Sequence, residues 1–221
     1  MDKVIIFGNG EIAEIAHFYF KHDSQDEVAA FTVDRECCKM DTFCDLPLVP
    51  FENIEKEFSP DEFKMFIPLS YKSVNRIRAQ KYYEAKEKGY SLTSFVSTKA
   101  MIFKEGTTIG DNCFIFENNV IQPFTTIGNN VIIWSGNHIG HHSHIEDHCF
   151  LASHIVVSGG VTIEPYCFIG VNATIRDHVT VGAESVIGAG ALIVKDTKPK
   201  SVYKGSPAVE SRVTSDQLRS L

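Results

Sequence analysis

Histidines are concentrated in the second half of this sequence. Seven of the nine lie between residues 138 and 178, namely His138, His141, His142, His144, His148, His154 and His178. Neutral imidazole is a common zinc ligand. It is also a common general base, because its pKa lies near neutrality. These residues therefore allow two kinds of chemistry, metal binding and proton transfer, and their spacing has to decide between the two.

The same region repeats every six residues. From residue 101 to 197 an apolar residue occupies the third place of each six-residue block. A period of six is demanded neither by a free helix nor by a free strand. It is typical of a parallel β-helix, in which each short strand buries its face only by stacking on the next coil. The sixteen residues are Phe103, Ile109, Ile115, Ile121, Ile127, Ile133, Ile139, Ile145, Leu151, Val157, Ile163, Ile169, Ile175, Val181, Ile187 and Ile193.

Three such blocks make one coil of eighteen residues, so residues eighteen apart stack in a column. His142, His148 and His154 then fall on three different corners. His142 and His178 share a column but lie two coils apart, roughly 9.6 Å, which is too far for a shared zinc ion. The spacing therefore predicts no metal site within one chain and leaves open a site shared between subunits.

His141 has a different environment in this arrangement. The column predicts Gly159 one coil away from it, followed by Gly160 above His142. Two residues without side chains leave space beside an imidazole and expose a backbone amide. Acyl transfer needs both a base for the attacking group and a donor for the oxyanion. His141 and Gly159 are therefore the candidates for these two roles.

A glycine turn near the N-terminus is the second candidate site. The turn Gly8-Asn9-Gly10 follows an apolar strand and precedes a helix, which is where backbone amides hold phosphate. Asp34 ends the second predicted strand, where a ribose contact would lie. Ala13 replaces the third glycine of the motif, so a turn needed only for packing is the alternative. About 95 residues leave no room for a full dinucleotide fold, which favours a nucleotide diphosphate.

The elements predicted around this turn form a small parallel sheet in the order β-α-β-β-α. Residues 36–63 are expected to be irregular, and residues 214–221 to include a helical turn. The expected organisation is an α/β, Rossmann-like domain at 1–95, a β-helix of hexapeptide repeats at 96–200 and a tail at 201–221. The strands are predicted at 2–7, 28–33 and 64–68, and the helices at 11–22 and 73–88.

Composition excludes several other classes of protein. The net charge of −7 argues against nucleic acid as the main partner. No apolar run reaches the roughly 18 residues that a membrane span needs. The N-terminus lacks a basic leader followed by a cleavage site, so a cytoplasmic protein is expected.

The combination resembles the sugar O-acyltransferase family. The residues that carry the resemblance are the Gly8 turn, the unbroken repeat and the segment Lys204-Gly205-Ser206-Pro207-Ala208. The family includes sialic acid O-acetyltransferases and bacterial N-acetyltransferases acting on nucleotide-linked 4-amino-4,6-dideoxy sugars for surface glycans such as lipopolysaccharide or O-antigen. The resemblance implies a left-handed β-helix, a homotrimer with active sites between subunits, acetyl-CoA as co-substrate and a nucleotide-sugar-binding domain at 1–95.

The resemblance also implies roles for individual residues. His141 in Ile139-Gly140-His141 corresponds to the catalytic base, and Gly159 to the residue whose amide faces the acetyl carbonyl. In close relatives the residue after the base is acidic and orients it, whereas this sequence has His142. The expected nucleotide-sugar contacts are Gly8, Asn9, Gly10, Asp34, Arg35 and Ser70. The expected CoA contacts are Gly159, Gly160, Ala173, Lys195 and Lys204, where the two lysines could equally belong to a solvated tail.

The sequence therefore predicts an acetyl-CoA-dependent N-acetyltransferase acting on a nucleotide-linked amino sugar. His141 would assist direct attack of the amine, with no metal and no acyl-enzyme. Three alternatives stay open at this point: O-acetylation of sialic acid or a similar sugar, a zinc lyase like the hexapeptide-repeat carbonic anhydrases, and a non-catalytic β-helix scaffold.

Overall fold

The structure is a computed structural model that describes residues 1–210. The helical turn expected at 214–221 lies outside the described residues. The helices are α1 at Glu11–Asp23 and α2 at Arg76–Glu87, with short 3-10 helices at Arg35–Cys37 and Phe51–Lys56. No helix within this range is long and apolar enough to cross a membrane. The first five strands are β1 Lys3–Phe7, β2 Glu27–Val33, β3 Thr42–Phe43, β4 Leu46–Pro50 and β5 Phe63–Phe66.

These five strands form one sheet in the order β3-β4-β2-β1-β5. The strands β4, β2, β1 and β5 are parallel, and β3 pairs antiparallel with β4 at the edge. The predicted parallel sheet is therefore present, but the expectation that residues 36–63 are irregular is wrong. Pro47 and Pro50 concealed β4, because proline is rare inside strands and marks edges.

The remaining strands build a three-sided parallel β-helix. Each side is one parallel sheet, with seven strands in the first, six in the second and five in the third. These strands are β6 Phe95–Val96, β7 Met101–Ile102, β8 Thr108–Ile109, β9 Phe114–Ile115, β10 Val120–Ile121, β11 Thr126–Ile127, β12 Ile132–Ile133, β13 His138–Ile139, β14 His144–Ile145, β15 Phe150–Leu151, β16 Val156–Val157, β17 Thr162–Ile163, β18 Phe168–Ile169, β19 Thr174–Ile175, β20 Thr180–Val181, β21 Val186–Ile187, β22 Leu192–Ile193 and β23 Val202–Tyr203.

The predicted register of eighteen holds through the middle of the coil. Ile121 pairs with Ile139, Ile139 with Val157, and all three side chains are fully buried. The first coil differs, because Ile102, not Phe103, pairs with Ile121. Phe103 is 48% exposed, so its predicted place in the core is wrong. The sequence pattern does not reveal the extra residue in this coil, because Ile102 and Phe103 are both apolar.

The coil also ends later than expected. Strand β23 at Val202–Tyr203 pairs with β21 and so adds a rung beyond the boundary at residue 200. The partners Ile187 and Tyr203 are only sixteen residues apart, because the last turn is shorter than the others. The segment expected to be a tail therefore begins with a strand of the β-helix.

Several histidines lie at corners of the coil. The backbone at each corner adopts a left-handed conformation, in which glycine and asparagine are least strained. Gly160 and Asn172 occupy such corners as predicted, with φ of 67° and 58°. Four histidines hold the same conformation with φ between 56° and 65°, namely His142, His148, His154 and His178. These four histidines therefore have a structural place at corners of the coil, independent of any chemical role.

The α/β part packs on the outer surface of the first β-helix side. The ring of Tyr19 from α1 contacts the rings of Phe95, Phe114 and Phe116, with centroids 5.0–6.1 Å apart. Phe116 in turn stacks on Trp134 at 4.4 Å. Buried apolar side chains from one face of the α/β sheet join those of the coil in one continuous cluster, while a second cluster lies within the α/β part. This junction holds the glycine turn in a defined position relative to the coil.

Candidate active site

His141 lies directly over Gly159, as the column predicted. A Cβ atom added to Gly159 would lie 2.6 Å from Cε1 and 2.8 Å from Nε2 of His141. Such distances are far inside van der Waals contact, so only glycine leaves room for this imidazole. The backbone of His141 is held on both sides, since its N–H donates to Gln122 Oε1 at 2.9 Å and its C=O accepts from Gly160 N at 2.8 Å. The ring itself is exposed at the surface.

The amide of Gly159 is suited to donate to a ligand. At the equivalent place in other coils the backbone N–H is capped by a side chain from an adjacent coil, as at Asp111, Asn129 and Ala183. Among residues 1–210 no group accepts a hydrogen bond from the Gly159 N–H. The geometry thus places an uncapped donor beside a ring nitrogen, the pair of groups that acyl transfer requires.

Among residues 1–210 the other histidines form no metal site within one chain. His148 is buried and hydrogen-bonds to Asn130 and to the Tyr83 hydroxyl, and burial lowers its pKa to about 4. It is therefore a neutral structural residue at physiological pH. Within the described range no three histidine, cysteine or acidic side chains converge as metal ligands.

The glycine turn opens onto a cavity of about 500 Å³. Gly8 has φ of 127° and its Cα approaches Ala13 so closely that an added Cβ would lie 3.3 Å from the Ala13 Cβ. The small Ala13 therefore serves the same close helix–strand packing as the third glycine of the motif. Gly10 is the N-cap of α1, so the first amides of the helix point toward the cavity. The predicted residues that line it are Gly8, Asn9, Gly10, Asp34 and Ser70.

Lys81 is a lining residue that sequence reasoning missed. Its Nζ lies 2.5 Å from Asp34 Oδ1 and 2.8 Å from Glu84 Oε2. Burial lowers the pKa of Lys81, but the hydrogen bonds that its ammonium donates to the two carboxylates outweigh this effect and raise the pKa overall. The lysine therefore brings a fixed positive charge to the cavity wall. Nothing in the local pattern of α2 separates Lys81 from Lys86 in the same helix.

The second wall of the cavity is a strained loop between β5 and α2. Three consecutive residues, Ser73, Val74 and Asn75, have φ of 54°, 51° and 64°. A β-branched valine in this conformation is costly and persists only where the surroundings hold it. Asn75 is fully buried and its Nδ2 donates to the backbone oxygens of Tyr166 and Cys167 on the β-helix, at 3.1 Å each.

Arg78 holds the same loop from inside the molecule. Its side chain is fully buried and, among the described residues, binds only uncharged oxygens. Nη1 donates to Leu69 O, Ser70 O and Asn75 Oδ1, and Nη2 to the carbonyls of Asn130, His148 and Cys149. Burial lowers its pKa to about 9, so the guanidinium remains charged at neutral pH. It ties the wall of the cavity to the β-helix.

A smaller aromatic cavity of about 390 Å³ continues from this loop. Tyr71 follows Ser70 and lies over the rings of Phe150 and Phe168, with centroids 5.0 Å and 4.7 Å away. Trp134 completes the apolar lining. Tyr71 is half exposed, so the loop presents Ser70 to one cavity and an aromatic ring to the next.

The remaining predicted residues do not lie together. Arg35 is exposed and is not among the residues lining the cavity. Ala173 is completely buried inside the coil, so its side chain cannot contact a ligand and the prediction that it does is wrong. Lys195 is exposed in the column of His141 and Gly159, three coils or roughly 14 Å above His141. Gly160 adjoins Gly159 at the corner, and Lys204 is exposed after β23.

Comparison with protein families identifies the repeat. The bacterial transferase hexapeptide family (six repeats) matches the segments 106–141, 124–159 and 160–195. The matched segments together span residues 106–195. This match and the three-sided coil fit the left-handed β-helix that was expected. No curated protein sequence matches the chain significantly.

Solved structures share the whole architecture. A mutant of perosamine N-acetyltransferase from Caulobacter crescentus, in complex with CoA and GDP-perosamine, has a TM-score of 0.83 at 22% identity and covers 95% of this chain and 96% of that one. The acetyltransferase domain of PglB from Neisseria gonorrhoeae FA1090 has a TM-score of 0.78 at 22% identity, covering 95% and 99%. WeeI from Acinetobacter baumannii AYE has a TM-score of 0.75 at 17% identity, covering 91% and 96%. The hexapeptide repeat and the preceding α/β part therefore occur together in other proteins.

Proposed function

We propose that this hexapeptide-repeat protein is an acetyl-CoA-dependent N-acetyltransferase acting on a nucleotide-linked amino sugar. The observation that carries the proposal is the placement of His141 over Gly159, beside an amide without an acceptor among residues 1–210. His141 Nε2 takes a proton from the sugar amine as its nitrogen attacks the thioester carbonyl. The Gly159 N–H stabilises the oxyanion, and the CoA thiolate leaves as the tetrahedral intermediate collapses.

The column of His141 and Gly159 suggests how acetyl-CoA lies. The acetyl group sits at Gly159, and the rest of the molecule follows the corner toward Lys195 at the far end of the coil. Lys195 and Lys204 are both exposed and carry positive charge suited to phosphate groups. Exposed apolar side chains on the adjoining side of the coil, Met101, Val156 and Leu192, support packing against a second copy. In a homotrimer of this kind the second copy completes the walls around His141.

The cavity at the glycine turn is the proposed nucleotide site. Amides at the N-terminus of α1 suit a diphosphate, and the Asp34–Lys81 pair suits a ribose and a neighbouring phosphate. The solved fold neighbours support this ligand class, because one was captured with both CoA and GDP-perosamine. The loop carrying Ser70 and Tyr71 then leads the sugar away from the nucleotide.

A substrate panel tests the proposal. Thiol release from acetyl-CoA should be measured with UDP-, GDP- and dTDP-linked 4-amino-4,6-dideoxy sugars, with the same nucleotides linked to sugars bearing a hydroxyl at that carbon, and with free sialic acid. We expect release with at least one amino sugar and none with its hydroxyl counterpart. Thiol release with sialic acid alone would mean that the protein is instead a sugar O-acetyltransferase. Stoichiometric zinc together with carbon dioxide hydration would replace it by a lyase.

Substitution of Gly159 by alanine tests the geometry of the site. The new methyl group would overlap three atoms of the His141 ring, at 2.6–3.1 Å, and would displace the ring by about 1 Å. We expect kcat to fall roughly 100-fold, since misplacing a catalytic group by this much has such an effect. The KM for the nucleotide sugar serves as the internal control and should stay within about twofold, because no residue of this corner lines the nucleotide cavity. Unchanged kcat in a folded variant would contradict the assignment of this corner.

A further inference from the structure

His141 contacts one further titratable group. Nδ1 of His141 lies 3.1 Å from Nδ1 of His142, and the two rings are nearly perpendicular at 84°. A hydrogen bond between two neutral imidazoles requires that one Nδ1 carries a proton and the other offers a lone pair. The contact therefore couples the tautomers of the two rings.

Only one of the two possible directions of this hydrogen bond leaves His141 able to act as a base. If His142 donates, the proton of neutral His141 is on Nε2, and that nitrogen cannot accept another. If His141 donates from Nδ1, its Nε2 keeps a free lone pair over Gly159. The second pairing also survives proton uptake, because the imidazolium of His141 still donates to the same nitrogen in a stronger, charge-assisted bond.

We propose that His142 is a positioning residue that accepts a hydrogen bond at Nδ1 and so holds His141 in the Nδ1–H tautomer. This inference rests on the proposed function, because it assigns a partner to the base named there. His142 makes no direct contact with the substrate in this scheme. It decides which nitrogen of His141 is free to take the proton.

The ring of His142 is itself held in place. The backbone of His142 has φ of 56° and forms a corner, and its amide N–H donates to Pro123 O at 3.3 Å. The ring packs on that of Phe124 one coil below, with centroids 4.9 Å apart. The groups packed against it from that coil, Pro123 and Phe124, carry no charge. Among the described residues His141 is the titratable group in contact with the ring, and His178 occupies the same column two coils away, over Gly160.

The proton path is complete with these groups. The amine loses one proton to His141 Nε2 as its nitrogen bonds to the acetyl carbon. His141 keeps its Nδ1 proton on the bond to His142 throughout. When the carbon–sulfur bond breaks, the Nε2 proton passes to the departing thiolate and yields CoA as a free thiol. The pair returns to its starting tautomers without any other reactant.

The first test replaces His142 by phenylalanine, which keeps a ring on Phe124 but removes the acceptor. The backbone tolerates this residue, because Phe124 itself has φ of 63° in the same column. We expect kcat to fall roughly 10-fold to 100-fold, as for other groups that orient a functional histidine. KM for both substrates should stay within about twofold. The matched control is His178→Phe, which has the same φ of 56° and should retain parental kinetics.

The second variant replaces His142 by glutamate, a side chain that can only accept when ionised. Glu184 shows that glutamate fits such a corner, with φ of 59°. We expect kcat to recover toward the parent at alkaline pH. The acidic limb of the kcat–pH profile should move about one unit to higher pH, because a carboxylate stabilises the imidazolium of His141. A structural role of His142 alone would not move this limb.

Nitrogen NMR of ring-labelled histidine separates this inference from the proposed function. It reads the tautomer without any substrate. We expect His141 to be protonated on Nδ1 in the parent and in His178→Phe, and to shift toward Nε2–H in His142→Phe. A parent protein with His141 protonated on Nε2, or an unchanged His141 tautomer in His142→Phe, would overturn the inference. A parent with the expected tautomer but no thiol release on the whole substrate panel would refute the proposed function alone.

Discussion

Replacement of His141 by alanine is expected to lower kcat by on the order of 1,000-fold, within the range that a general base contributes. The imidazole lies over Gly159, whose N–H has no acceptor among residues 1–210. Binding of the nucleotide sugar should be little changed, because its cavity lies at the glycine turn. Steady-state kinetics of thiol release, with both substrates varied, measures the two effects separately.

The control for this prediction is His144→Ala. His144 is exposed in β14, on the next side of the coil, and does not contact Gly159. The kcat of the His144→Ala variant should match that of the parent protein. If His141→Ala retained the parental kcat, the base would have to be another group, and the oxyanion role of Gly159 would lose its support as well.

Replacement of Arg78 by methionine should have the largest effect on stability. Methionine fills much of the same volume but removes the guanidinium donor of Asn75 Oδ1 and of five backbone carbonyls, of which those of Asn130, His148 and Cys149 are buried. We expect the free energy of unfolding to fall by about 3–5 kcal/mol, because each buried acceptor left without a donor costs about 1–3 kcal/mol. Urea unfolding at neutral pH measures this difference. The same loss should raise the KM for the nucleotide sugar, because Leu69 and Ser70 are no longer held at the cavity wall.

Arg76→Met is the matched control, two residues earlier in the same helix. Arg76 is exposed and forms a surface ion pair with Glu184 at 2.6 Å. Such pairs contribute about 0–1 kcal/mol. Equal stabilities of the two variants would mean that the hydrogen bonds of Arg78 only match those its partners form with water in the unfolded chain.

Much of the fold and one contact of the site could be predicted from the sequence. A period of six specifies short strands and corners, and three blocks a turn convert chain positions into columns. His141 and Gly159 are eighteen residues apart, so the repeat alone placed them together. The same regularity excluded a metal site built from His142 and His178. The glycine turn was equally visible, because phosphate-binding turns have a local pattern at a strand–helix boundary.

Other features depend on contacts between residues far apart in sequence and lacking any shared period. Arg78 reaches Cys149 across seventy-one positions, and Lys81 reaches Asp34 across forty-seven. The prolines of β4 concealed this strand in the sequence. One extra residue in the first coil concealed the fact that Ile102, and not Phe103, faces the core. The pairing of His142 with His141 depends on side-chain rotation at a left-handed corner. A sequence pattern defines backbone register, whereas ring orientation and the docking of one part on another are decided only when the side chains pack.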